Sequence, residues 1–237
     1  MAVVFEADFG SPEQWTAGRT SAYPNMGPTN LGDHKLDLLN RSYCPGGRFT
    51  ATRRFFGGLW SCNLLTTEGS PDGFQVQTGD VLSTRVVLPT GLGAWPAIWT
   101  WRDGGNEVDV FEYHPDHPGL LELSNHVHDA YHYWDGSSAG VAPGAQLDLT
   151  VTLGAGSVDW SVNGTTVFRD GTGVGPAWQA YLIVNLSVSD GTYHPAPPPS
   201  GPRQLSWSCL GLSVDRTPTT PKPPVPTGMY TAEEEAD

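Results

Sequence analysis

Basic residues are scarce: 12 Lys plus Arg stand against 25 Asp plus Glu in 237 residues, a formal charge of −13. Such a chain repels phosphate backbones and anionic lipid, which excludes nucleic acid and membrane surfaces as partners and leaves neutral polymers open. Cysteine is scarce too. Cys44, Cys62 and Cys209 cannot all pair with one another and their spacing fits no zinc motif, so buried free thiols are expected. No run approaches the roughly 20 apolar residues of a membrane helix. The opening MAVVFEADFG lacks the basic start and apolar core of a signal peptide, so action outside the cell is expected to rely on a signal removed upstream or on another route of export.

Long apolar stripes at helical spacing are missing as well, because 29 Gly and 21 Pro interrupt the chain. Short β-branched and aromatic runs between turn residues take their place and predict an all-β protein with a single domain over residues 1–216. Leu147, Leu149, Val151 and Leu153 alternate with polar residues, and Val158, Trp160 and Val162 alternate again up to Asn163-Gly164, a strong hairpin signal. In YLIVNLSVS (residues 181–189) Leu182, Val184, Leu186 and Val188 share one face. Tyr181, Ile183, Asn185 and Ser187 form a mixed surface suited to a groove. AVVFEADF and SWSCLGLSV read as strands that begin and close the domain. Residues 217–237, Pro-rich and then acidic, read as a linker or tail.

The stretch NEVDVFEYH (residues 106–114) has the composition of a buried strand yet carries three acids. Strict alternation places Glu107 and Asp109 on one face and Glu112 on the other. A β-bulge between Asp109 and Glu112 shifts the alternation by one step and brings all three together. Paired carboxyls are the equipment of a glycosidase, and crowding a third acid beside them keeps one group protonated to higher pH. The alternatives are solvated acids on an edge strand, or a calcium site built from the same oxygens.

The neighbourhood favours sugar chemistry. In GAWPAIWTW (residues 93–101) Trp99 and Trp101 share a strand face with Trp95 at its entrance. In LELSNHVHD (residues 121–129) strand alternation places Glu122, Ser124, His126 and His128 on one face. Nine Trp and eight Tyr supply flat surface for stacking on sugar rings, although core packing claims some of them.

GAWPAIWTW, EVDVFE, HVH and LIVNL together resemble the family 16 glycoside hydrolases, the laminarinase and lichenase group, whose sites use Glu-x-Asp-x-x-Glu. The resemblance spans roughly residues 74–215. It implies a concanavalin-like β-jelly-roll sandwich of two antiparallel sheets with a concave substrate cleft. It also implies endo-acting, retaining cleavage of β-1,3 or β-1,3-1,4 glucan, with galactans as a further substrate class. Glu107 is then the nucleophile, Asp109 its electrostatic partner and Glu112 the acid/base. Trp95, Trp99, His128 and Asn185 match positions that line the family's cleft. No cofactor is required, and a structural calcium is compatible with the family. Two departures fall where subsites are expected: Ser61-Cys62-Asn63-Leu64 lacks the family's arginine, and SVSDGTYHPAPPP replaces a glycine-rich turn.

The start of the chain, HKLDLLNRS (residues 34–42) and the Trp-rich motif also resemble minor tail proteins of phages that infect actinomycetes. This second resemblance implies a virion enzyme acting on envelope or capsule glycans, assembled into a phage tail through the C-terminal tail. A rival reading is a non-catalytic carbohydrate-binding domain on the same sandwich, disfavoured by the intact acids. A second rival is a metal-dependent hydrolase using His114, His117, His126 and His128. Nothing in the sequence places the first two beside the last two, so no metal site is assigned.

Overall fold

The computed structural model describes residues 1–217, so the predicted tail lies, apart from Thr217, outside the described residues. The regular secondary structure of the described part is almost entirely β-strand, with a few single 3-10 turns. In chain order the strands are β1 (Ala2–Glu6), β2 (Thr16–Ala17), β3 (Asp37–Asn40), β4 (Arg48–Arg53), β5 (Trp60–Thr66), β6 (Gln75–Gln77), β7 (Val81–Val87) and β8 (Ala94–Trp101). They continue with β9 (Val108–Glu112), β10 (Leu120–Asn125), β11 (Ala130–Asp135), β12 (Gln146–Leu153), β13 (Val158–Val162), β14 (Thr165–Arg169), β15 (Gln179–Val188) and β16 (Gln204–Arg216).

Hydrogen bonding runs in the order β11-β10-β9-β8-β15-β5-β4-β16-β7-β12-β13-β14. The ribbon folds back on itself as a jelly-roll sandwich. The front layer ends in β11-β10-β9-β8-β15, and the back layer is β4-β16-β7-β12-β13-β14. Strand β5 belongs to both, since Leu64, Leu65 and Thr66 pair with β15 while Trp60, Ser61 and Cys62 pair with β4. The outer ends of the ribbon meet where His132 of β11 stacks on Phe168 of β14, with ring centroids 4.6 Å apart.

The interior follows the alternation of the sequence. Leu147, Leu149, Val151 and Leu153 on β12, and Val158, Trp160 and Val162 on β13, are all buried, as are Leu182, Val184, Leu186 and Val188 on β15. Asn163 and Gly164 both adopt positive φ, +50° and +79°, as a tight primed hairpin turn between β13 and β14 requires. The N-terminal strand pairs with the last one, Phe5 opposite Val214. All three cysteines are buried and unpaired.

Two indole N–H groups tie the layers together. Trp160 Nε1 donates to the Asp109 carbonyl at 2.9 Å, and Trp207 Nε1 donates to the Asn185 carbonyl at 3.1 Å. Both receiving residues carry side chains that face the opposite way, into the cleft.

Candidate active site

Strand β9 carries the bulge. Against β8, Glu112 pairs with Ala97 and Phe111 with Ile98, yet the next partner of Trp99 is Asp109, which leaves Val110 extra. Against β10 the same step appears, with Glu112 opposite Glu122 and Asp109 opposite Ser124. Val110 and Phe111 both turn inward and are buried, while Asp109 and Glu112 both face the cleft. A bulge costs ladder hydrogen bonds, and here side chains replace them. The Asp109 carbonyl receives the Trp160 indole, and the Val108 N–H donates to Thr100 Oγ1 at 2.8 Å. Glu107, just before the strand, is held by its carbonyl, which accepts from the His126 N–H at 3.0 Å.

Each acid has its own partners. The Ser124 hydroxyl donates to Asp109 Oδ2, and His126 Nε2 lies 3.0 Å from the same oxygen. The other ring nitrogen of His126 lies 3.1 Å from the Tyr131 hydroxyl. Glu107 Oε1 is 4.0 Å from His126 Nε2. Trp95 Nε1 donates to Glu112 Oε1 at 2.7 Å, and Trp99 Nε1 donates to Asn185 Oδ1 at 2.8 Å. Lys35 Nζ lies 4.3 Å from the centre of a Trp95 ring and pairs with Asp33 at 2.5 Å.

This crowding raises the proton affinity of both glutamates and of His126. Burial, and then the charge of Asp109, push Glu112 up to about 8, opposed by Lys35 and by the Trp95 hydrogen bond. Burial and Asp109 push Glu107 up to about 7, opposed by His126 and Lys35. The hydrogen bond to Asp109 leads in raising His126 to about 9, against burial. Carboxyls crowded in this way resist ionising together, so the pair holds a proton to higher pH than a free carboxyl would, next to a cationic imidazole.

The cleft runs along these residues in two lobes of ≈ 440 and ≈ 600 Å³, which share Asp33, Lys35, Trp95, Glu107, Asp109, Glu112 and His126. Glu107, Asp109, Glu112, Trp95, Trp99, Trp101, His126 and Asn185 all line the first lobe. His128 does not join them. Strand β10 ends at Asn125, whose Oδ1 accepts the Val127 N–H at 3.1 Å and whose Nδ2 is bound by Asp170 and Gly173. The chain turns there, and His128 is exposed on the turn, away from both lobes.

Solved structures share this architecture. The chain aligns with the endo-β-1,3-glucanase of Pyrococcus furiosus at TM-score 0.71 and 18% identity, covering 90% of this chain and 93% of that one. It aligns with the laminarinase catalytic domain of Thermotoga petrophila at TM-score 0.72 and 17% identity, covering 90% and 96%. The fold is that of the laminarinases. A protein described as a pseudo β-1,3-glucanase of Mycobacterium tuberculosis also aligns, at TM-score 0.64 and 15% identity over 92% of this chain and 100% of that one. No family model matches the sequence, and no curated protein matches it.

Several residues of this cleft escape sequence reasoning. Tyr23, Asn30, Asp33 and Lys35 arrive from the long segment before β3 and wall the first lobe. Lys35, the one Lys or Arg side chain among the residues lining either lobe, is reached through an isolated bridge to Ser189 that no local pattern announces. Tyr131, Tyr133 and Tyr193, each more than half exposed, line the second lobe and offer flat rings to a ligand. Trp99 is 8% exposed and hydrogen-bonded, so it serves as floor more than as platform. Two side-chain groups among the described residues gather potential metal donors within 4.8 Å of one another: Glu107, Asp109 and His126, and separately His114, Asp116 and His194. The first is committed to the hydrogen bonds described above.

Proposed function

We propose that the chain is an endo-acting, retaining glycoside hydrolase that cleaves internal β-linkages of a glucan, β-1,3 or mixed β-1,3-1,4. The observation that carries this reading is the bulged strand, which turns Glu107 and Glu112 to one cleft with Asp109 between them, where burial and Asp109 raise the proton affinity of both glutamates. Glu107, facing His126, attacks the anomeric carbon. Glu112, gripped by Trp95, donates to the departing glycosidic oxygen. A covalent glycosyl–enzyme forms, and Glu112, now a base, activates the water that hydrolyses it. Asp109 supplies the negative charge that holds the proton on Glu112 and, through His126 and Ser124, is itself fixed in place. The glucan assignment draws support from solved structures described as endo-β-1,3-glucanases in Pyrococcus furiosus and Thermotoga petrophila.

The test is release of reducing ends from laminarin, mixed-linkage glucan, agarose and a host-envelope polysaccharide, with the anomer of the first product read by NMR. Retained configuration on a β-glucan supports the assignment, and an inverted first product overturns the mechanism. Saturable glycan binding without any release favours the non-catalytic carbohydrate-binding reading, which the pseudo-glucanase description attached to one structural neighbour keeps in view.

A further inference from the structure

A cluster of imidazoles and carboxylates stands beside the acids and takes no part in the proposed hydrolysis. His114 comes from the turn after β9, Glu122 from β10 and His194 from the loop after β15. The two imidazole rings stack with centroids 3.4 Å apart and planes 5° from parallel. Glu122 Oε1 lies 3.6 Å from His114 Nε2 and 3.7 Å from His194 Nε2. Both separations exceed a hydrogen bond. His114 is 2% exposed, and its Nε2 has no hydrogen-bond partner among the described residues. Leaving such a buried nitrogen unsatisfied is costly, so its position asks for a ligand.

The spacing suits an ion better than a proton. Zinc bonds of about 2.0–2.1 Å in tetrahedral array set neighbouring donors about 3.4 Å apart. Two nitrogens and one oxygen match a borderline-soft transition metal, whereas calcium demands six to eight oxygens. Asp116 Oδ2 stands 3.0 Å from the other nitrogen of His194, the carboxylate–histidine arrangement that orients a ligating ring. Both segments are anchored. The turn is closed by His117 N–H to the His114 carbonyl at 3.0 Å and by the Tyr113 hydroxyl to Pro118 at 3.2 Å, and the loop by the Ser189 hydroxyl to the His194 carbonyl.

We propose that His114, His194 and Glu122 bind one divalent transition-metal ion of the zinc class, with Asp116 orienting His194. Glu122 and His194 line the second lobe, so the remaining coordination position faces the cleft and is open to water or a ligand oxygen. A lone pair lies in its ring plane, so the two stacked rings tilt apart as they turn toward the ion. Trp95, whose ring lies 4.6 Å from that of His114, reports the movement. The site stands independently of the glycosidase reading.

The experiment is calorimetric titration of the metal-free full-length chain with zinc chloride at pH 7.5, alongside Glu122→Gln, His194→Asn and Glu107→Gln, with X-ray absorption at the zinc edge. One zinc per chain is expected, with two imidazoles in its shell and a change in Trp fluorescence. Affinity should fall at least tenfold in Glu122→Gln and His194→Asn, and by less than twofold in Glu107→Gln. Glu122→Gln conserves shape and His194 sits on a loop, so circular dichroism without metal verifies that both variants fold. If only Glu122→Gln folds, it and the absorption spectrum decide. Absence of saturable 1:1 binding, a shell without two imidazoles, equal competition by calcium, or loss in Glu107→Gln with retention in Glu122→Gln would each overturn the proposal.

Discussion

Trp160, on the back sheet, donates its indole N–H to the carbonyl of Asp109 at 2.9 Å, so the residue at the centre of the acid cluster is held from behind by the opposite layer. The bond holds the carbonyl of the residue at which the register shifts. Trp160→Phe conserves most of the buried ring but leaves that oxygen without its donor, at about 1–3 kcal/mol. Urea denaturation should show a lower midpoint at unchanged slope, and kcat on glucan should fall with KM little altered. An unchanged midpoint would mean that the bulge is held by its other contacts alone.

The two glutamates should fail differently. In Glu112→Ala a glucoside with a good leaving group still reacts with Glu107, and added azide should trap a β-glycosyl azide of retained configuration. In Glu107→Ala azide attacks directly and the α-glycosyl azide should appear. The same anomer from both variants contradicts the assigned roles.

Activity should follow a bell-shaped pH profile, with an acid limb near 7 from Glu107 and an alkaline limb near 8 from Glu112. Trp95→Phe deletes a hydrogen bond that opposes the rise of Glu112, so its alkaline limb should move to higher pH. The lost bond to a charged group, about 1.5–3 kcal/mol, should cost about ten- to hundredfold in kcat. A profile of kcat/KM against pH for both proteins reads both effects.

Stability carries the same signature. Glu107, Glu112 and His126 all bind protons more tightly in the folded chain than in the unfolded one. Between about pH 4.5 and 8 the folded state retains carboxyl protons that the unfolded state has released, so the two glutamates stabilise fully below that range and lose the contribution as pH rises through it. His126 acts in the same direction, its contribution present below about 6.5 and lost through about 9. Melting temperature should therefore decline from pH 5 to 9. Glu107→Gln with Glu112→Gln should flatten the decline, and an equal slope in that double variant would place its source elsewhere.

Sugar contact should rest on the exposed tyrosines of the second lobe. Tyr133 is 65% exposed, so Tyr133→Ala should raise KM severalfold with melting temperature unchanged, whereas Trp99→Ala, which opens a buried site, should lower stability by about 3–5 kcal/mol. Michaelis kinetics and thermal melts on the two variants distinguish platform from floor.

Local pattern made much of this legible. A gap of three between Asp109 and Glu112, in a strand otherwise spaced by twos, announced the bulge, and Asn163-Gly164 announced its hairpin. What local pattern could not carry was long-range placement. Lys35 enters by an isolated bridge to Ser189, and His194 reaches Asp116 across 78 residues. His128 was misplaced because the Asn125 side chain, bound by Asp170 from a distant segment, ends β10 three residues sooner than alternation implies.

Strand β5 has a consequence for how the molecule is made. Since one strand hydrogen-bonds into both layers, the cleft sheet cannot finish forming until its backing does, and the seam waits for segments as remote as Thr52 and Gln204, 152 residues apart. Loop closure over such distances is entropically costly before any contact rewards it, so folding should be slow, on the scale of milliseconds to seconds, and all-or-none. A fragment cut to contain only β8, β9 and β10 keeps every acid and loses the means to assemble them.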